Sequence, residues 1–568
     1  MNTPNLNTKA RKSNKFDVIV IGSGMTGGWA AKEFSEAGFD TLVLERGRDV
    51  KHIEDYPTAH TEQWEFPHRN TINPKVIKEN PVVSRCYAFR EATEHFFVKD
   101  KDHPYVQKKP FDWIRGYQVG GKSLLWARQV QRWAKFDFEA NAKDGHGVDW
   151  PVRYEDLAPW YSYVEKYAGI SGNKDGLPQV PDGDFLPPMD MNCLEEHLVN
   201  EIDKTYPDRK VIMSRTANLS RPHNGRICMY RSRCERGCPY GGYFSANSTT
   251  IPDALATGNM TLRPHSVVHS IIFDEEKGKA TGVRVIDANT KESQEFYADV
   301  IFVNASTMNT NLILMNSKSD RFPNGLGNDS GMLGHYMTFH NYRIRISGEY
   351  DGFKDKYYFG HRPAGLYVPR FRNFGNDQQN DFLRGYAFSF GTGRGIGNLD
   401  KNKEPIGKDF KDQITQLGGW SVGMTGMGEV LPRFENKVSL SKSKTDEWGI
   451  PLIEMDINYS NNEEKMCEDI KVAGAEMLEA AGVKNISVVD SEQAPGLDIH
   501  EMGGVQMGKD PKTSLLNKWN QIHECKNVFV TDGAAMSSSA CQNPSITFMA
   551  FTVRAADYAI KEMKKGNL

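Results

Sequence analysis

The chain has 568 residues, enough for two or more domains and a large core. Its 70 Lys and Arg against 73 Asp and Glu leave a formal net charge of −3, which gives no sign of a nucleic-acid partner. No apolar stretch approaches the ~18 residues of a membrane span, and 8 cysteines in so long a chain do not make a disulfide scaffold.

The first segment, Met1 to Lys15, is polar and basic. It lacks the apolar run of a signal peptide, and Arg11 is followed by Lys12, so there is no twin-arginine pair. The expectation is a disordered leader without an export signal of its own. The protein is then cytoplasmic, or periplasmic by co-export with a partner that carries a signal.

Phe16 to Ile21 is an apolar, β-branched run that meets Gly22-Ser23-Gly24-Met25-Thr26-Gly27 and then an Ala-containing helical pattern. Asp40 to Leu44 follows and ends at Glu45. This is a βαβ dinucleotide-binding unit with its acidic residue ~20 positions on. Gly22 lets the strand turn tightly, Gly24 lets backbone approach a pyrophosphate, and Gly27 lets the helix pack on the strand. The helix N-terminus faces the phosphate charge, and Glu45 can accept from ribose hydroxyls. The unit alone does not separate FAD from NAD.

Nucleotide-domain character returns in the glycine-rich stretch Gly116 to Val130, in Ala298 to Asn316, and from Asn527 into a C-terminal helix. Between these pieces, Tyr342 to Glu349, Lys437 to Leu440 and Ile453 to Ile457 alternate as antiparallel strands do. Leu366 to Arg372 alternates less cleanly, and Pro369 limits it to an edge strand. Asn461 to Ala481 reads as an amphipathic helix with Met466, Ile470, Ala473 and Met477 on its core face. The expected fold is α/β (α+β overall). Residues 15–50, 85–135, 255–335 and 495–568 form a discontinuous Rossmann-like nucleotide domain. Residues 51–84, 136–254 and 336–494 form a substrate domain, an antiparallel sheet backed by helices, with a cysteine-rich insertion at about 226–242.

Near the C-terminus, His500-Glu501-Met502-Gly503-Gly504 precedes Asp532-Gly533 and then Asn543-Pro544, which looks like a helix N-terminus with Pro at its first position. This order, with Gly120-Gly121-Lys122-Ser123 and the Gly325 to His340 stretch, resembles the glucose–methanol–choline (GMC) flavoprotein oxidoreductases over nearly the whole chain. The resemblance implies FAD, held by Gly22, Gly24, Gly27, Glu45, Gly120, Gly121, Ser123, Asp532, Gly533 and Pro544. It makes His500 the base that takes the hydroxyl proton while a hydride goes to flavin N5. Asn543 holds the substrate oxygen. Neutral imidazole suits that task, and a helix N-terminus at the pyrimidine end of the flavin would stabilise negative charge there. Some members attach FAD through a His in the glycine-rich stretch. Leu125 stands there, so the FAD is expected to be non-covalent. His340 falls where the family lines its site.

Cys228, Cys234 and Cys238 form a C-x5-C-x3-C-P loop rich in arginine. Closely spaced thiols ending in Cys-Pro suit iron–sulfur ligation, and the arginines can offset cluster charge and depress thiol pKa values. A structural zinc wants four ligands, and none completes the set locally. Three free thiols are the other reading. The spacing resembles the insertion in the sugar-dehydrogenase branch of the family, which includes glucoside 3-dehydrogenase, gluconate 2-dehydrogenase and glucose dehydrogenase. That implies a [3Fe-4S] cluster, a small companion subunit and a cytochrome c-type acceptor. The expected reaction is oxidation of a secondary hydroxyl of a sugar or glycoside, C3 of a hexopyranoside favoured. A stand-alone oxidase using dioxygen is the alternative, with the cysteine loop merely structural.

Overall fold

The computed structural model describes residues 14–357, 360–396 and 406–568, so most of the leader lies outside them. Strand β1 (Lys15–Ile21) is central to an eight-stranded sheet. It pairs in parallel with β2 (Thr41–Leu44) on one side and with the strand Ser293–Val303 on the other. Met260–Arg263 extends the sheet beyond β2, and Cys525–Val530 extends it beyond Ser293–Val303. Val18, Ile19, Val20 and Ile21 are all buried, as a parallel sheet covered on both faces requires. Helix α1 (Met25–Glu36) crosses from β1 to β2 and buries Trp29 and Phe34. The strand Ser293–Val303 also changes partner along its length. Its first residues pair antiparallel with Lys279–Asp287, itself the second arm of a hairpin with Ser266–Asp274.

A second, seven-stranded sheet runs in the order Lys484–Asp490, Ile344–Tyr350, Leu417–Glu429, Tyr386–Ile396, Leu366–Val368 and Ile212–Met213, with antiparallel pairing throughout. The two-residue strand His340–Asn341 pairs with Gly428 and Glu429 at the end of its central strand. The helix Asn461–Ala480 backs this sheet. Ser460 caps it, its own N–H donating to the Glu463 carboxylate at 2.6 Å in a capping box. Met466, Ile470, Ala473 and Met477 are fully buried against the sheet, where truncating either Met to Ala would cost about 2–5 kcal/mol.

Four details differ from the sequence expectation. Pro369 does end the Leu366 strand, at Val368, but Ile212–Met213 pairs beyond it, so the strand is not the edge. Lys437–Thr445 pairs with Pro451–Asp456, which also pairs with Val106–Gln107, in a separate small sheet. Within 136–254, the helix Tyr154–Ala168 packs against the C-terminal helix Ser545–Lys564, and Thr250–Ala256 packs against α1, both on the nucleotide side. Pro544 precedes the assigned helix but already has helical φ and ψ, and its carbonyl accepts from the Phe548 N–H at 3.0 Å.

Candidate active site

The carboxyl ends of β1, β2 and the strands ending at Val303 and Val530 open on one cavity. Gly22, Glu45, Asn304 and Asp532, each just past such an end, line it. This is where open α/β sheets bind ligands. Gly22 sits at φ +96, and a Cβ there would meet the Asn304 carbonyl at 2.3 Å. A Cβ on Gly27 would lie 1.9 Å from the Gly22 carbonyl, so only glycine lets α1 pack this close. Gly24 is different, because a Cβ there meets nothing within 4 Å. Gly24 caps α1 with no side-chain hydrogen bond. The first N–H groups of α1 therefore open on the cavity, an arrangement suited to a pyrophosphate.

Glu45 is buried, and burial raises its pKa above the usual carboxylate value. Its carboxylate accepts from the Ser23 hydroxyl at 2.6 Å, the Ser23 N–H at 3.1 Å and the Gly47 N–H at 2.9 Å. A carboxylate has about four acceptor positions, so one is left for a ribose hydroxyl. Ser23 in turn accepts from the Gly120 N–H at 3.1 Å, tying the glycine-rich turn to the nucleotide loop. Gly120 and Gly121 both have positive φ, and a Cβ on Gly120 would overlap Asn247. The Ser123 hydroxyl is engaged inside the protein, donating to the Gly120 carbonyl at 2.6 Å and accepting from the Ala246 N–H at 3.1 Å. It holds the turn in shape, and Ser123 also lines the cavity.

His500, which lines the cavity, meets the buried His340 behind it. Their Nδ1 atoms lie 2.8 Å apart, and His340 Nε2 lies 3.1 Å from the Ala540 carbonyl oxygen. Asp498 Oδ2 accepts the backbone N–H of His340 at 3.0 Å and of His500 at 3.2 Å. Thr338 and Met502 exchange backbone hydrogen bonds at 2.9 Å, so the two segments run side by side. Burial lowers the His340 pKa to about 4. His500 is held well below the ordinary imidazole value, chiefly by burial, then by His340 and Lys122. Burial, with Glu501 adding to it, pushes Asp498 up to about 7.

Asn543 lines the same cavity with its Oδ1 buried and without a partner among the described residues. Lys122 pairs with Glu501 at 3.0 Å, and Glu501 Oε1 is a second orphaned acceptor. Asp532 accepts from the Thr310 hydroxyl at 2.6 Å and from the Ala534 N–H at 3.0 Å, and burial pushes it up to about 6. A Cβ on Gly533 would strike Thr307 and the Glu501 carbonyl. The C-terminal helix begins at Ser545, also lining the cavity, with no side-chain cap. Orphaned polar atoms, an open glycine face and two uncapped helix starts in one cavity fit FAD.

The cysteine loop lies beside this cavity, its turn Cys234–Arg236 packed against Gly121–Leu124. Asn218 donates to Cys234 Sγ at 3.8 Å and the Gly242 N–H to Cys238 Sγ at 3.4 Å. The expectation that the loop's arginines depress the thiol pKa values is not met. Arg233 and Arg236 turn away to the carbonyls of Thr58, Ala59 and Thr61 and to Glu62. Burial instead pushes Cys228 up to about 11 and raises Cys238. The cation that faces the thiols is Arg128, from the glycine-rich stretch, which also lines the cavity.

The GMC oxidoreductase profiles match residues 16–341 and 432–552, and the chain belongs to this family. It is an FAD-dependent oxidoreductase acting on CH–OH donors. It is 29% identical to 2-methyl-1,2-propanediol dehydrogenase of Mycolicibacterium austroafricanum over 96% of this chain and 95% of that one. It is 26% identical to the fructose dehydrogenase large subunit of Gluconobacter japonicus over 97% of this chain and 98% of the other. The fold is also that of formate oxidase from Aspergillus oryzae RIB40, with a TM-score of 0.61 at 15% identity, covering 98% of this chain and 99% of that one. Among the described residues no helix is long and apolar enough to cross a membrane.

Proposed function

We propose that the protein is a dehydrogenase that oxidises a secondary hydroxyl of a sugar or glycoside to a ketone, C3 of a hexopyranoside being the favoured position. The observation that carries this reading is the uncharged His500 facing the same cavity as the orphaned Asn543 amide oxygen. FAD bound here supplies the hydride acceptor. Uncharged His500 takes the hydroxyl proton as the carbon loses its hydride, and Asn543 holds the substrate oxygen in register. Burial suits the base, because an imidazole already protonated could not accept.

Cys228, Cys234 and Cys238 are the residues that would hold an iron–sulfur cluster. Three thiols of one loop, faced by the Arg128 guanidinium, are a donor set that suits an iron–sulfur cluster. A [3Fe-4S] cluster there would supply one-electron transfer away from the flavin. The acceptor is then a cytochrome-type protein, reached with a small companion subunit. One relative is by its name the large subunit of a dehydrogenase, which agrees with a partnered enzyme.

A second reading, an oxidase that reduces dioxygen by itself, is favoured by the burial of Cys228 and Cys238 and their raised pKa values, which suit protonated structural thiols. Reduction of the purified, anaerobic protein by glucose, gluconate and a panel of glucosides tests the substrate. Metal analysis of the same sample tests the relay. Fastest reduction by a glycoside with stoichiometric iron supports the dehydrogenase. Iron-free protein that consumes dioxygen rapidly supports the oxidase.

A further inference from the structure

His340 contacts no solvent and carries no charge, yet both of its ring nitrogens are engaged. We propose that His340 is a positioning residue. By accepting the His500 Nδ1–H and donating its own Nε2–H to the Ala540 carbonyl, it fixes His500 in the tautomer whose Nε2 lone pair faces the cavity. The inference rests on reading His500 as the base.

The argument is one of donors and acceptors. A backbone carbonyl can only accept, so the 3.1 Å contact from Ala540 requires a hydrogen on His340 Nε2. A neutral imidazole carries one N–H, so His340 Nδ1 is a bare lone pair. The 2.8 Å contact between the two Nδ1 atoms then requires its hydrogen from His500. That leaves His500 Nε2 without one, and it makes no hydrogen bond among the described residues. The opposite assignment would set the bare Nε2 of His340 against the Ala540 carbonyl, two acceptors face to face. When the substrate is oxidised, its O–H proton goes to His500 Nε2, its C–H hydride would pass to the FAD that the proposed function calls for, and the C=O bond forms. The imidazolium then donates to His340 through a charge-assisted bond, stronger than the neutral one it replaces. His340 thus plays the part that a carboxylate plays behind a histidine base elsewhere, without adding a charge.

The surroundings fix both rings. Asp498 ties the two backbones together through its Oδ2. Ile499 at φ +65 and Ala540 at φ +53 lie in the left-handed region, where a β-branched residue stays only if its neighbours hold it. Those two strained residues set the direction of His500 and of the Ala540 carbonyl. The charged and titratable groups facing the pair are Lys122 from the glycine-rich turn, Asp498 and Glu501 from the segment of His500, and Tyr459, which faces Asp498.

The test compares His340→Leu, His340→Gln and His500→Ala in the FAD-loaded enzyme. Nitrogen NMR of histidine-labelled protein reads the tautomer, with His500→Ala assigning the signals. Anaerobic flavin reduction by methyl glucoside, or by the panel member that reduces fastest, is followed across pH. Wild type should show a protonated Nδ1 and a bare Nε2 at His500. His340→Leu should mix the tautomers and slow flavin reduction about 10- to 10³-fold at unchanged FAD content. Its acid limb should shift from the wild-type position, because the variant loses both the acceptor that favours the imidazolium and the neighbouring ring that holds the His500 pKa down. His340→Gln can accept from His500 and donate to Ala540, so it should keep the wild-type tautomer and stay within about tenfold of the wild-type rate. A wild-type His500 protonated on Nε2 overturns the proposal, as do Leu and Gln variants equally slow with an unmoved pH profile. Wild-type reduction by His500→Ala would instead remove the base reading, a separate failure visible in a separate variant.

Discussion

His340 and His500 stand with their Nδ1 atoms 2.8 Å apart and their rings perpendicular, at 90°. Two imidazolium ions at that distance would repel by about 6 kcal/mol even at an effective dielectric constant of ~20. The pair therefore carries at most one extra proton, and that proton is the one chemistry delivers. A second consequence is geometric. The contact joins residues 160 positions apart, so any change that shifts the Thr338–Met502 pairing also moves the base.

Gly24 and Gly27 should separate cofactor binding from folding. Gly24→Ala adds a methyl group that meets nothing within 4 Å among the described residues, so stability should be nearly unchanged while most FAD is lost. Gly27→Ala drives a methyl group into the Gly22 carbonyl and should cost at least the ~1–3 kcal/mol of overpacking. Denaturant unfolding and the flavin-to-protein ratio measure the two effects. Full flavin in Gly24→Ala would show that the pyrophosphate lies elsewhere.

Asp137 gives a pH signature in stability. Burial, then the nearby Glu429, pushes it up to about 7. Its native pKa exceeds the unfolded one, so its contribution is fully present below ~3.9 and is lost as pH rises through about 7, by as much as about 4 kcal/mol. Asn at this position still offers an oxygen to the Ala134 N–H, which Asp137 accepts at 2.7 Å, but it cannot ionise. Asp137→Asn should therefore gain on wild type at about pH 8 relative to about pH 5. The buried histidines run the other way, losing stability as pH falls from 6.5 toward about 4, but they cancel in the comparison. Equal stability differences at the two pH values would contradict the assignment.

Cys234→Ser should divide the proposed reaction in two. Iron and acid-labile sulfide should be lost while FAD stays bound, because the cofactor cavity is built from other residues. An alcohol substrate should still bleach the flavin at close to the wild-type rate, and transfer onward to a cytochrome should fail. Iron-free wild type, purified anaerobically with its flavin intact, would remove the relay.

The Gly22 to Glu45 unit was legible because Gly22 and Gly27 answer local steric needs that spacing alone expresses, with the acidic residue at its usual distance. The Asn461–Ala480 helix was legible through its apolar stripe, Met466, Ile470, Ala473 and Met477. The strands Tyr386–Ile396 and Leu417–Glu429 were not, since glycines break up their pattern and such residues weaken a strand. The fold supplies the reason for two of them. A Cβ on Gly426 would strike Ile470, and one on Gly428 would strike Met466, so glycine lets the backing helix lie close to the sheet. The role of His340 was equally hidden. Its position near the site could be read, but its hydrogen-bond partner depends on a register set by distant strands. Arg233 and Arg236 of the cysteine loop look like partners of the thiols in one dimension, and the chain turns them toward residues 58–62 instead.

The central claim is that His500 removes the substrate proton at a bound flavin, and anaerobic flavin reduction in His500→Ala tests it most directly. The account predicts normal FAD content and a rate lower by a factor on the order of 10²–10⁴, the usual range for a lost general base. Flavin reduction at the wild-type rate in that variant would contradict it.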